Sequence, residues 1–258
     1  MDEAERWLKL ISAWQVMEAL EHQVNTVRAL TPVLRVGGMS RAVVIDCDDG
    51  RRYVVKGRQV MRPLIADHVV GRLATIIDAP VPEVALVEVS KALIVPGSFL
   101  EHFEPGIGHG SLFMQECLDS HSPQYWDEAA NLERFAVLAV LNGWADAADQ
   151  QFLYSKNAPH LVYSVDHGSF FVGSSEWTAD DLRHAPAADV DRWLTSSAAV
   201  GREQLRSAVA RLKWVTDDVI AGVIAGLPNE WGITLNERLA LAQYLARRRD
   251  DLLDATLT

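Results

Sequence analysis

Strand signals crowd the region before residue 117 of this 258-residue chain and helical signals fill the remainder, which makes it a mixed α+β protein. Two observations carry that reading. Between residues 33 and 89, β-branched runs at 42–46, 53–56 and 84–89 are separated by turn residues, with one helical segment inserted. After Pro123, apolar residues recur at helical spacing, interrupted by one pair of short strand-like runs. The implied organisation is a leading helix (1–30), a β-rich part (31–117) and a helical part (118–258).

Taken in order, Trp7, Leu8, Ile11, Trp14, Met17 and Leu20 lie at helical spacing behind the acidic Glu3 and Glu5, where a helix start favours negative charge. The runs at 42–46 and 53–56 are joined across Asp48, Asp49 and Gly50, a turn that suits a hairpin. Ile65, Val69, Leu73 and Ile76 return to helical spacing until Pro80 and Pro82 end it. Further strands are expected at 84–89 and 112–114. Between them Gly106, Gly108 and Gly110 read as a mobile loop, an ordinary connection in preference to a cap over the cleft or a contact to substrate. Residues 115–123 are the expected join between the two parts. Leu132, Phe135, Leu138, Ala139 and Leu141 then mark a nearly buried helix over 128–144. Strand candidates at 151–154 and 161–165 come next. Thr178 with Asp181, Thr216 and Thr234 with Glu237 signal helix starts, since a hydroxyl accepts from unpaired backbone N–H groups. Arg247, Arg248 and Arg249 suit the positive charge that a terminal helix favours at its end.

Composition narrows the function classes. Apolar residues make up 49% and charged residues 23%, ordinary globular usage. The 24 Lys+Arg against 35 Asp+Glu give −11, a poor match for phosphate backbones, so no nucleic-acid partner is expected. The longest apolar stretches fall short of the roughly 18 residues a membrane span needs, so no membrane is expected either. Cys47 and Cys117 lack metal-site spacing and a secretory signal, which favours a reduced, cytoplasmic setting. Of the eight Trp, Trp7, Trp14, Trp126, Trp177, Trp193, Trp214 and Trp231 read as core, and His102, His109, His121 and His160 have no metal-ligand spacing.

Four features carry chemistry. Gly37 and Gly38 form a tight turn ahead of a strand, where backbone N–H groups can approach phosphate. Lys56 closes an apolar strand and offers a point charge to phosphate oxygens, and Asp67 on the next helix is placed to hold it. The loop from Trp144 to Phe152 carries Asp146, Asp149 and Gln151, acids that can orient a nucleophile and an amide oxygen that suits Mg²⁺. Asp166-His167-Gly168 lies directly after an apolar strand, aiming a carboxylate outward while the glycine permits a sharp exit.

This order of residues resembles the HipA-like branch of the protein-kinase-like superfamily. The resemblance spans about Val33 to Phe171 and is most specific at Lys56 and at Asp166-His167-Gly168. It implies a bilobal protein-kinase-like fold, with a β-rich N-lobe and a mostly helical C-lobe, that binds ATP and Mg²⁺ in the cleft and transfers the terminal phosphoryl group. Lys56 would hold phosphates with Asp67 in place of the usual Glu, Asp166 and Gln151 would bind metal, and Gln115, Glu116 and Cys117 would form the hinge beside adenine. The chain departs from the family in its catalytic loop, where Asn-x-Asp-Arg is usual and Asn142-Gly143-Trp144-Ala145 stands instead. Trp144, Asp146 and Asp149 each align with the catalytic Asp in one register, and Asp149 is favoured as base. The implied activity is phosphotransfer to a protein hydroxyl or a small molecule. The alternative is a catalytically impaired, nucleotide-binding pseudokinase that serves as an interaction module.

Overall fold

A computed structural model describes residues 2–255, with the backbone alone for residues 16–25. Helix α1 (Glu3–Asn25) leads directly into β1 (Thr26–Arg35), so the sheet begins before the expected boundary at residue 30. Trp7 and Ile11 are fully buried, as the stripe predicts; its Met17 and Leu20 side chains lie outside the described residues.

Five strands close a barrel in the order β1-β2-β3-β5-β4, through β2 (Val43–Cys47), β3 (Arg52–Lys56), β4 (Val84–Val89) and β5 (Gly106–Leu112). All neighbours are antiparallel except β1 and β4. Val43, Ile45, Tyr53, Val55, Val87 and Val89 fill the interior. The two-residue period of β3 then sends Val54 and Lys56 to the opposite face, toward the cleft. The segment expected to be a mobile loop is β5 itself. Its glycines answer a packing demand: a Cβ at Gly108 would lie 2.7 Å from the Lys56 carbonyl, and one at Gly110 would lie 2.6 Å from Val87. The strand expected at 112–114 is therefore only the end of β5. Helix α2 (Arg62–Ile76) joins β3 to β4 and ends before the two prolines, as expected.

The chain leaves the barrel at Leu112 and enters the helical lobe at β6 (Cys117–Ser120), which pairs with β7 (Gln151–Ser155), itself paired with β8 (Val162–Val165). Helix α3 (Ala129–Ala145), buried from Phe135 to Ala145, forms the centre of this lobe. Around it lie α4 (Ala179–His184), α5 (Arg192–Ser197), α6 (Arg202–Ala210), α7 (Asp217–Ala225) and α8 (Leu235–Ala255). The expected caps are in place: Thr178 and Asp181 form a reciprocal capping box, and Thr216 accepts from Val219 N. The arginine run lies inside α8 instead of at its end. Arg248 is buried and donates to the carbonyls of Gly143, Trp144 and Pro186, while Arg247 takes those of Leu182, Arg183 and Ala185. Of the tryptophans read as core, Trp7, Trp177 and Trp231 are buried, whereas Trp126, Trp193 and Trp214 are exposed.

Candidate active site

Lys56 sits on the floor of a cavity of about 440 Å³ between the lobes. Its Nζ is 2.7 Å from Asp67 Oδ2 and 2.6 Å from Asp166 Oδ1. Burial pulls the ammonium's pKa down, but the two carboxylates outweigh it and leave the pKa above the ordinary lysine value. The two acids differ in setting. Asp67 is buried, with a side chain 4% exposed, and its second oxygen accepts the His167 backbone N–H at 2.7 Å. Asp166 is half exposed, so one oxygen holds Lys56 while the carboxylate faces the cavity. A single aspartate thus ties β3, α2 and the turn after β8 together. Gly168 permits this approach, because a Cβ there would come within 2.9 Å of Pro63 on α2.

The upper wall is apolar, with Val36, Ala42, Val54, Val84 and Leu112 from the barrel side, and Leu153 and Val165 close it below. Gly37 lines the cavity with nothing within 4 Å of its Cβ position, at the tip where Val36 N donates to the Ala42 carbonyl. Gly38, with φ +103°, lies just outside the lining. Of the expected hinge, Glu116 and Cys117 reach the cavity, whereas Gln115 faces the outer side of the barrel beside Asp46 and Arg52. The Glu116 carbonyl accepts from Lys156 N at 2.8 Å, which fastens the hinge to the end of β7.

Gln151 lines the cavity beside Asp166, and its Nε2 donates to Asp119 Oδ1 at 2.9 Å. Asp119 and His109 escape a reading of the sequence: strand register alone places them here, Asp119 through the β6–β7 ladder and His109 opposite Lys56. The two candidate bases are not in the cavity lining. Asp149 projects into solvent, 76% exposed, with its Oδ1 3.8 Å from His121 Nδ1. Asp146 caps α3 in a left-handed conformation; its carbonyl accepts from Gly173 N, and its carboxylate is 3.9 Å from the buried Arg248 guanidinium. The favoured Asp149 is thus the more weakly held of the pair. Trp144, the third register, is excluded as a base because its indole is buried and donates to the Leu245 carbonyl.

Positive φ collects in this region, at Asp146, Asp149, Asp166, Phe171 and Val172. Aspartate tolerates that conformation, but a β-branched valine at φ +49° is strained, a cost that surrounding contacts must hold in place. The segment after Asp166 is short and pinned: Phe170 and Phe171 are fully buried, Phe171 N donates to the Ala145 carbonyl, and α4 begins at Ala179.

Two buried histidines flank the lysine. Burial depresses the His109 pKa to about 3, helped by Lys56 and His167, and depresses the His167 pKa to about 4 against the pull of Asp67 and Asp166. His109 also faces His68, their Nδ1 atoms 3.4 Å apart, and His167 contacts Ser164 and Phe170. Both imidazoles stay neutral in the folded chain while an unfolded histidine gains a proton below about pH 6.5. Their stability contribution is therefore complete above pH 6.5 and is lost as pH falls from there toward 4 and 3. At its steepest, two protons cost about 2.7 kcal/mol per pH unit. Urea midpoints measured at pH 7, 6 and 5 check this, and His109→Phe is expected to halve the slope that these two residues cause.

A second hollow, of about 470 Å³ between α1, α7 and α8, has Arg6 and Arg249 both engaged by Asp217 of its own wall. The lysine cleft is where polar groups converge on open space.

Residues 34–256 match the HipA-like kinase family. The chain belongs to that family. The match covers the barrel from the end of β1 and the helical lobe through the whole of α8, so Lys56, Gln151 and Asp166 all fall inside it. In fold, this HipA-like kinase is similar to the crystal structure of the Helicobacter pylori proinflammatory kinase CtkA, at 11% identity and a TM-score of 0.58 over 90% of this chain and 96% of that one. A Golgi casein kinase with Mn/ADP bound matches at 13% identity and a TM-score of 0.46, over 93% of this chain and 76% of that one. No curated protein matches the chain. Among the described residues, no helix is long and apolar enough to cross a membrane, and both cysteines are free.

Proposed function

We propose that this HipA-like kinase is an ATP- and Mg²⁺-dependent phosphotransferase of the cytoplasm, acting on a protein hydroxyl or a small molecule. The observation that carries the proposal is Lys56, held between Asp67 and Asp166 on the floor of the interlobe cavity. The apolar wall from Val36 to Leu112 accepts a flat base, and the lysine supplies positive charge where phosphates would end. The donors suit the metal. Asp166 offers a half-exposed carboxylate and Gln151 an amide oxygen, its nitrogen being taken by Asp119. Mg²⁺ asks for one or two such oxygens and completes its shell with water and phosphate. When bound there, it would neutralise charge on the phosphate oxygens.

Of the two candidate bases, Asp146 has the better support. Its backbone is fixed by Gly173 N and its carboxylate lies beside Arg248, itself anchored by three carbonyls. A base works through position before acidity, and Asp149 has only a distant histidine to hold it. One observation favours the second reading, a pseudokinase acting as an interaction module: neither acid lines the cavity.

Thermal unfolding with ATP, with and without Mg²⁺, tests the nucleotide site. At 100 times its dissociation constant a ligand adds about 2.7 kcal/mol, which raises Tm by roughly 5–10 °C in a chain of this size. A Mg²⁺-dependent rise of that size is the expected result, and no rise with any nucleotide refutes the proposal. Given the rise, loss of γ-phosphate from ATP that Asp146→Ala stops separates the enzyme from the module.

A further inference from the structure

Away from the hinge, the lobes meet at the open edge of β5. β3 stops at Lys56, opposite His109, so Ile107 has β4 on one side and no strand on the other. The loop between α7 and α8 takes the missing strand's place. Glu230 Oε1 accepts from Ile107 N at 2.9 Å and Trp231 Nε1 donates to the Ile107 carbonyl at 2.7 Å, so both backbone groups are paired as a neighbouring strand would pair them. Glu230's other oxygen accepts from Arg58 at 3.1 Å. Gly106 makes room for this contact: it has φ +132°, and a Cβ there would come within 2.4 Å of the Glu230 carboxylate.

The same loop reaches α2. Trp231, 6% exposed, sets its ring edge-on to His68 at 5.4 Å, and His68 is the residue after Asp67. The C-lobe also grips α2 at both ends. At its start Arg62 pairs with Glu237 of α8 and lies over the Trp177 ring at 5.0 Å. At its end Arg211 donates to the carbonyls of Ile77 and Asp78 at 3.1 Å. Protein kinases control the lysine–acid pair by moving the helix that carries the acid. Here that helix is fastened along its length to the other lobe.

We propose that Trp231, set against His68, is a positioning residue that latches α2 to the C-lobe, with Glu230 anchoring the same loop on β5, and that the two so hold Asp67 on Lys56 before any ligand arrives. The site is then pre-assembled, and nucleotide affinity needs no activating partner to place the helix. The part of this proposal that concerns nucleotide rests on Lys56 as the phosphate-binding residue; the latch itself does not.

Two measurements on the full chain test it. In the nucleotide-free protein, amide hydrogen exchange across residues 62–76 is expected to quicken about tenfold in Glu230→Ala, which frees Ile107 N and Arg58 Nη1, and in Trp231→Phe, which frees the Ile107 carbonyl. Gly106→Ala, which displaces Glu230 from the opposite lobe, is expected to do the same. Unchanged exchange in all three variants overturns the latch. In steady-state kinetics the KM for ATP is expected to rise about tenfold while kcat stays within about twofold, the split that loss of a pre-formed binding geometry causes. Faster exchange with an unchanged KM overturns the link from latch to site. If the parent chain itself binds no ATP, the proposed function falls while the exchange result still decides the latch.

Discussion

Asp166→Asn is expected to lower phosphoryl transfer by roughly 10²–10³-fold, the size of loss seen when one preorganised charge-stabilising group is removed from a transition state. The substitution keeps the shape and one oxygen but removes the charge that faces the cavity. Its effect on folding is expected to be under about 1 kcal/mol, because the Asp166 carboxylate is half solvated and its pair with Lys56 is the exposed one of the two. The check is a transfer assay beside a urea titration of the same preparation. A variant that loses activity and stability together would mean that Asp166 supports the fold, and the metal role would lose its argument.

Lys56→Met is expected to behave differently. Asp67 would keep only the His167 N–H, leaving a carboxylate buried without its cation. Breaking a buried pair from one side costs about 3–5 kcal/mol, which lowers Tm by roughly 10 °C. Adding Asp67→Asn to Lys56→Met removes the stranded charge and is expected to recover most of that loss. Calorimetry of the single and double variants decides it. Additive losses would show that each residue acts on the fold independently. The contrast has a practical side: an inactive Lys56 variant reports stability as much as chemistry, so Asp166→Asn is the cleaner probe of function.

Much of this site is legible in the chain because its parts are local. Lys56 and Asp67 stand eleven residues apart on a strand and the next helix, so their meeting needs no long-range packing. Asp166-His167-Gly168 reads from a short apolar run and a glycine. What the sequence hides depends on distant partners. β1 is obscured by Pro32 and by register shifts on either side of it, which break the alternation that marks a strand. β5 is obscured by glycines that look like loop residues until Tyr53 and Val87 are seen to need the space. The choice between Asp146 and Asp149 turns on Arg248, about a hundred residues further along and buried by packing that no local spacing reveals. The arginine run looks like compensation for a helix end, and its carbonyl partners exist only in the folded lobe.

Helix α1 precedes the barrel in the chain yet belongs to the other lobe: Trp7 and Ile11 join the core built by α7 and α8, and Arg6 pairs with Asp217. The barrel is therefore an insertion within the helical lobe, preceded by α1 and followed by β6 and α3. During synthesis the first helix leaves the ribosome long before its partners exist, at ordinary rates of roughly 5–20 residues per second. The barrel has all five of its strands by Leu112, but the lobe beneath it cannot close until α8 emerges. The apolar face of α1 waits through that interval, which leaves Trp7 and Ile11 as surface for a chaperone to cover until α7 and α8 emerge.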